Sequence, residues 1–259
     1  MTQCIAMANQ KGGCSKTTLT FNLACALSAQ GKKVLCIDMD QQANLSTCFC
    51  FNPKVTKLQL ADWLQDECTF EELVQHRNGI DFIPTGYKQA DYQPFWQAKV
   101  NREMQLAKRM AKVSTISDYD YILIDTAPAN DVYLANALCA ADQVLIPCNP
   151  DTFNFVAMQR LRNYVVDIVE SGLNEELKIN GVLFSRVNKK ASEEKNETLT
   201  LKALAKNYGW PVYKERMFNY NDYSTSIKSN KSVIQLEKAN LARKNMEDII
   251  KEFLVKSAE

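Results

Sequence analysis

A doubly wound α/β fold, with a mainly parallel sheet and helices on both of its faces, is what this sequence predicts, and three observations predict it. Seven short apolar runs recur along the 259 residues. Most are apolar at consecutive rather than alternating positions, as strands covered on both faces require. Helix-like stretches separate them, and alternation of the two is the pattern of strands joined by crossover helices. No internal repeat, low-complexity tract or Pro/Gly/Ser-rich linker interrupts the series. One domain over residues 1–259 is therefore expected, long enough to enclose a sizeable core.

Taken in order, Cys4–Ala8 is the first apolar run and Lys16–Gln30 the first helical stretch. The run Lys33–Asp38 comes next, then helical segments Leu60–Trp63 and Phe70–Gln75, then the run Ile80–Pro84. A long helix is predicted over Gln97–Ser114 before the strand Tyr121–Asp125, and a shorter one over Val132–Ala140 before the strand Gln143–Pro147. Helix Asn154–Ser171 leads to strand Gly181–Val187. Lys189–Glu197 is polar and short enough to be a loop, and helix Thr198–Tyr208 comes after it. Val212–Tyr213 is the weakest strand signal, and Asn240–Lys256 closes the chain as a helix.

Composition excludes several classes. Apolar residues make up 46% and charged residues 24%, as in ordinary globular proteins, which removes disordered and fibrous types. No apolar run approaches the ~20 residues of a membrane span, and Met1 leads into a strand without a basic leader or cleavage site. A cytoplasmic location is expected. The nine cysteines are odd in number and scattered, several within apolar runs, which suits buried reduced thiols rather than a disulfide framework. Cys48 and Cys50 form a lone pair far in sequence from His76, the single histidine, so no metal site is expected there. With a net charge of +1, any nucleic-acid contact has to come from a local patch.

The segment Asn9-Gln10-Lys11-Gly12-Gly13-Cys14-Ser15-Lys16-Thr17-Thr18 joins the first strand to the first helix. Backbone N–H groups and a helix N-terminus converge on an anion in that context, and the glycines let the backbone wrap it closely. Gly12, Gly13, Cys14, Ser15, Lys16, Thr17 and Thr18 are the candidate phosphate-binding residues. Lys16 is placed to reach the β- and γ-phosphates, and Thr17 to offer its hydroxyl to Mg²⁺. The usual G-x-x-x-x-G-K-[ST] spacing is broken by Gln10 and Ser15. By itself the segment also reads as a glycine turn before a basic helix start. Cys14, at a helix N-terminus, is a candidate for a lowered thiol pKa, although a small spacer is the plainer reading.

Asp38-Met39-Asp40 closes the second strand, and Asp125 ends the strand Tyr121–Asp125. Carboxylates at the carboxyl ends of parallel strands border the ligand crevice of such sheets. An apolar strand ending in one aspartate is how a carboxylate reaches hydrated Mg²⁺, and a carboxylate near a γ-phosphate orients or deprotonates water.

Asn9–Thr18 resembles the deviant Walker A box of the ParA/MinD group of P-loop ATPases, and Asn-Gln before Lys11 is closer to the ParA branch. Asp38-Met39-Asp40-Gln41-Gln42-Ala43-Asn44 is similar to that family's D-x-D-P-Q-x-N box, with Gln41 in place of proline. Tyr119–Pro128 resembles its Y-D-x-I-x-I-D-x-x-P strand, and Ala141–Pro147 its A-D-x-V-L-I-P strand. The resemblance implies a P-loop NTPase fold, ATP and Mg²⁺ as ligands, and slow, partner-stimulated hydrolysis. It assigns Lys11 to the partner subunit's nucleotide in an ATP-bound homodimer, Asp40 to water activation, Asp38 and Asp125 with Thr17 to the metal shell, and Asn188 to the adenine. A centromere-binding, ParB-like partner and nonspecific, nucleoid-associated DNA binding are also implied.

Residues 186–231 carry ten basic and five acidic side chains, a local excess that suits salt-sensitive phosphate contacts. Arg186, Lys189, Lys190, Lys195, Lys202, Lys206 and Lys214 belong to it, with Arg216, Lys228 and Lys231 as the chosen DNA candidates. Each of these cations also has a plainer use in solvating a helix or loop. MinD-like relatives end in a basic amphipathic membrane helix. In Asn240–Lys256 and just beyond, Glu247, Asp248, Glu252 and Glu259 offset Arg243, Lys244, Lys251 and Lys256, which suits packing on the sheet better than anionic lipid. A membrane-positioning ATPase and a nucleotide-locked DNA scaffold with little hydrolysis stand as the rival readings.

Overall fold

The computed structural model describes residues 1–52, 54, 57–150, 154–188 and 209–258. The sequence-predicted loop Lys189–Glu197 and helix Thr198–Tyr208, and with them Lys189, Lys190, Lys195, Lys202 and Lys206, lie outside the described residues.

The strands are β1 (Gln3–Met7), β2 (Val34–Met39), β3 (Gln75–Arg77), β4 (Ile80–Ile83), β5 (Tyr121–Thr126), β6 (Gln143–Cys148), β7 (Lys178–Val187) and β8 (Met217–Phe218). They form one sheet in the order β3-β4-β2-β5-β1-β6-β7-β8. Every neighbouring pair is parallel except β3 with β4.

The consecutive apolar residues of the strands divide between two cores, because side chains alternate across a pleated strand. From β1, Cys4 and Ala6 enter one core while Ile5 and Met7 enter the other. From β5, Ile122 and Ile124 face the first while Tyr121 and Leu123 face the second. Helices α3 (Leu60–Leu64), α4 (Phe70–Leu73), α6 (Gln105–Met110), α7 (Val132–Ala140) and α8 (Asn154–Glu170) supply the first core. Helices α1 (Lys16–Ala29), α2 (Asn44–Cys48), Asn221–Ser229 and Asn240–Lys256 supply the second. Both faces are thus covered, as a doubly wound sheet demands. The C-terminal helix buries Met246, Ile249, Ile250 and Phe253 in this second core. Among the described residues no helix is long and apolar enough to cross a membrane.

Four elements differ from the sequence reading. The stretch Gln97–Ser114 is not one helix. Helix α5 (Lys88–Ala98) begins earlier, Asn101 adopts a left-handed φ of 54°, and 3₁₀ turns at Arg102–Met104 and Ser114–Asp118 flank the short α6. Gln75 belongs to an antiparallel edge strand rather than a helix end, because Asn78 and Gly79 both take positive φ (56° and 74°) and fold β3 back on β4. An Asn-Gly pair is the residue preference of that hairpin turn. Val212 makes only an isolated bridge to Val182, and Met217–Phe218 occupies the edge instead. The polar helix Asn221–Ser229 had no apolar pattern to announce it; it buries only Tyr223 and Ser226 fully.

Candidate functional site

Strands β1, β2 and β5 are parallel neighbours and end on the same edge of the sheet. Their continuations converge there: Ala8–Ser15 after β1, Asp40–Ala43 after β2, and the β5 terminus itself. A cavity of about 640 Å³ opens at this edge, within the size range of small-molecule sites. Gly12–Thr18, Asp40, Gln42, Thr126 and Pro128 line it. Arg186, Met217–Asn221, Tyr223, Ser224, Ile227 and Lys228 line it as well.

The loop is fixed by its own polar groups. Asn9 is buried, donates from Nδ2 to the Pro147 carbonyl at 2.7 Å, and accepts the Lys11 N–H at 2.9 Å. Gly13 (φ +74°) and Ser15 (φ 67°) are both left-handed, a conformation glycine adopts freely and serine does not. A side chain at Gly12 would meet no atom within 4 Å, so the wall of the cavity there is open backbone. The Lys16 ammonium is buried and donates to the Asn9 carbonyl at 2.9 Å and the Lys11 carbonyl at 3.4 Å. The Cys14 thiol donates to the Lys11 carbonyl at 3.1 Å, and burial pushes its pKa up while Lys16 opposes the rise. The raised pKa agrees with the plainer reading of Cys14 as a small spacer and gives no support to an activated thiol. Gln10 Nε2 is buried with no hydrogen-bond partner among the described residues.

Two carboxylates lie beneath the loop. Asp38 and Asp125 are register partners on β2 and β5, and both are buried. Thr17 Oγ1 donates to Asp125 Oδ2 at 2.7 Å, and Thr20 Oγ1 to Asp125 Oδ1 at 3.3 Å. Burial, then the neighbouring charge of Asp38, pushes the Asp125 carboxyl up to about 8. Burial also lifts Asp38 to about 7, against the Ser46 hydroxyl and the Ser46 and Asp40 N–H groups that bond its oxygens. A paired hydroxyl and carboxylate with a second carboxylate behind them is a donor set that suits a hydrated hard cation. Desolvated carboxylates held above their ordinary pKa are also what such a cation offsets. Asp40 is 6% exposed and lines the cavity, its Oδ1 accepting the Gln42 N–H at 2.9 Å.

The structure brings Gly12, Gly13, Cys14, Ser15, Lys16, Thr17, Thr18 and Asp40 to one cavity, with Asp38 and Asp125 just behind. Lys11 and Asn188 are not on its lining. Asn188 Oδ1 instead accepts from Asn219 Nδ2 at 3.0 Å, and Asn219 does line it. Of the three chosen DNA candidates, Lys228 stands exposed on the cavity rim and Lys231 is exposed just past the helix. Arg216 is half-buried and donates to the Lys214 carbonyl at 3.1 Å. Asn149, Ser185 and Arg186 also reach the loop, a placement that sequence reasoning missed. Asn149 and Arg186 donate to the Gly13 carbonyl at 3.4 and 3.2 Å, and Ser185 to the Cys14 carbonyl at 2.8 Å. Their residue types carry no phosphate-loop signal; only the parallel order of β1, β6 and β7 brings them there.

Among the described residues no group of three or more histidine, cysteine and acidic side chains is placed to hold a metal ion by itself, and every described cysteine is free. Most are buried, with Cys50 exposed and Cys68 intermediate.

Comparison with known proteins agrees with this geometry. The AAA domain family matches residues 2–179. The chain is 31% identical over 190 residues to the sporulation initiation inhibitor protein Soj of Bacillus subtilis, covering 73% of this chain and 74% of that one. It is equally identical over the same length to the chromosome partitioning protein ParA of Caulobacter vibrioides, covering 73% and 71%. Among solved structures, a plasmid partition protein of Borrelia burgdorferi bound to AMPPNP is 25% identical with a TM-score of 0.79, covering 99% of this chain and 100% of that one. McdA of Cyanothece in complex with ATP shares the fold, with a TM-score of 0.84 at 21% identity and coverage of 98% and 96%. Phosphate loop, paired carboxylates, sheet order and relatives agree: the chain belongs to the ParA family of P-loop ATPases.

Proposed function

We propose that this chain is a ParA-type partition ATPase, a single nucleotide-binding domain that binds ATP with Mg²⁺, dimerises, binds DNA without sequence preference and hydrolyses ATP to segregate a replicon. The observation that carries the reading is the loop Asn9–Thr18 held above Asp125 and Asp38 at the carboxyl edge of the sheet. Loop amides and Lys16 are suited to the phosphates, and Thr17 with Asp125 and Asp38 to the metal, which when bound supplies charge neutralisation. Asp40, on the cavity lining, is the group suited to orient water. Lys11 lies off its own chain's cavity lining, which supports a role toward the nucleotide of a second copy. Asn188 belongs to the base side through Asn219. Arg216, Lys228 and Lys231 are assigned to DNA, and a ParB-like partner to the stimulation of turnover. The homologues named for partition, and their nucleotide-bound structural neighbours, support this reading.

The test separates the two lysines. Lys16→Ala is expected to abolish ATP binding in calorimetry. Lys11→Ala is expected to keep binding but to lose ATP-dependent dimers in light scattering. Normal dimerisation of Lys11→Ala contradicts the cross-subunit role.

A further inference from the structure

Arg186 takes part in no motif of the nucleotide loop, yet the fold delivers it there by an unusual route. It lies at the end of β7 with a φ of 53°, left-handed for a residue with a long side chain. The strand is irregular at the same place. Against β8, Ser185 pairs with Met217 and Val187 with Phe218, so Arg186 is the extra residue of a bulge. In a regular strand, side chains 185 and 186 face opposite sides of the sheet. Here both reach one loop, Ser185 to the Cys14 carbonyl at 2.8 Å and Arg186 to the Gly13 carbonyl at 3.2 Å. Bulges beside active sites commonly re-aim a side chain in this way, and local strain is retained where it serves function.

Holding Gly13 does not account for the arginine. The same carbonyl also accepts from Asn149, and Ser185 pins the next peptide. A guanidinium carries five N–H donors, and among the described residues this one spends a single hydrogen bond, on Gly13. No carboxylate among them forms an ion pair with it, and it lines the same cavity as Lys16. A charged, planar donor with most of its hydrogens unspent beside a phosphate loop suits bidentate recognition of phosphate oxygens.

We propose that Arg186 is a phosphate-contacting residue of this chain's own nucleotide site, a second cation beside Lys16 that recognises the phosphate chain of a nucleoside di- or triphosphate. The inference rests on the nucleotide reading above and moves Arg186 out of the basic stretch assigned to DNA.

Calorimetric titration of Mg²⁺-ADP and Mg²⁺-ATP into wild type, R186A, R186Q, R186K and R186G tests it. Loss of one charge-assisted contact predicts a roughly ten- to hundredfold weaker affinity for R186A, R186Q and R186G. R186K is expected to recover most of it, and wild type to lose affinity more steeply with salt than R186Q. Glutamine can still donate to the Gly13 carbonyl, so wild-type affinity in R186Q shows that the bond to the loop was all that mattered and overturns the proposal. Glycine takes the left-handed backbone without cost, so R186G is expected to melt, without nucleotide, no lower than wild type. Affinity losses that track only a lowered melting temperature also overturn it. Absence of nucleotide binding to wild type removes the nucleotide reading itself, a result distinct from failure of the Arg186 assignment.

Discussion

Asp38 and Asp125 show how single residues set the character of the site. Each is a carboxylate near the end of a buried strand, and each has its pKa raised by burial. For Asp38 the folded value of about 7 stands above the ordinary 3.8, so the folded protein binds this proton more tightly than the unfolded chain. By linkage its favourable contribution to folding is complete below about pH 4 and disappears as pH rises through about 7. Asp38→Asn removes that dependence and also removes the neighbouring charge that raises Asp125. In metal-free protein the melting temperature of Asp38→Asn, taken relative to wild type, is therefore expected to move in the variant's favour between about pH 5.5 and 8.5. Differential scanning calorimetry in chelator measures it, and a relative shift toward wild type at high pH contradicts the assignment. Added Mg²⁺ is expected to shrink the trend, because a cation beside these oxygens offsets their desolvation.

At the scale of elements, the phosphate loop is braced through α1. Asn22, fully buried on that helix, donates to the Thr18 carbonyl at 2.8 Å and to Ser226 Oγ at 3.2 Å, and accepts the Val233 N–H at 2.8 Å. One amide thus joins the helix that begins at Lys16 to the helix Asn221–Ser229, which also lines the cavity. Asn22→Ala leaves the Val233 N–H without its acceptor, and is expected to cost about 2 kcal/mol of stability. Urea unfolding with an unchanged slope measures that cost, and a loss below a few tenths of a kcal/mol shows that the bridge is not structural. The same helix marks where sequence reading stops. The doubly buried strands were legible because consecutive apolar residues have nowhere to go but two cores. Asn221–Ser229 was not, since its place depends on the bond of Ser226 to Asn22, 204 positions away, and on Tyr223 reaching Asn245. The edge hairpin was legible in principle from Asn78-Gly79, and the break in Gln97–Ser114 from nothing more than Asn101 turning left-handed.

For the molecule as a whole, the site was legible where one contiguous stretch supplies it. Lys16, Thr17, Asp40 and Asp125 can be read directly from strand–loop–helix order and strand-end carboxylates. Ser185, Arg186 and Asn149 cannot, because three separate strands must first be laid side by side. Function adds a further level, since a net charge of +1 gives the protein no general affinity for nucleic acid. On the proposed reading, DNA binding draws on Lys228, Lys231 and Arg216 of two copies meeting one duplex. Both Lys228 and the loop line the same cavity, so the nucleotide site and this candidate DNA contact share a boundary. The most direct measurement is a gel shift of duplex DNA with ATP, ADP or no nucleotide over a series of salt concentrations. The account predicts retention with ATP alone, falling steeply as salt rises, whereas equal retention in all three conditions contradicts it.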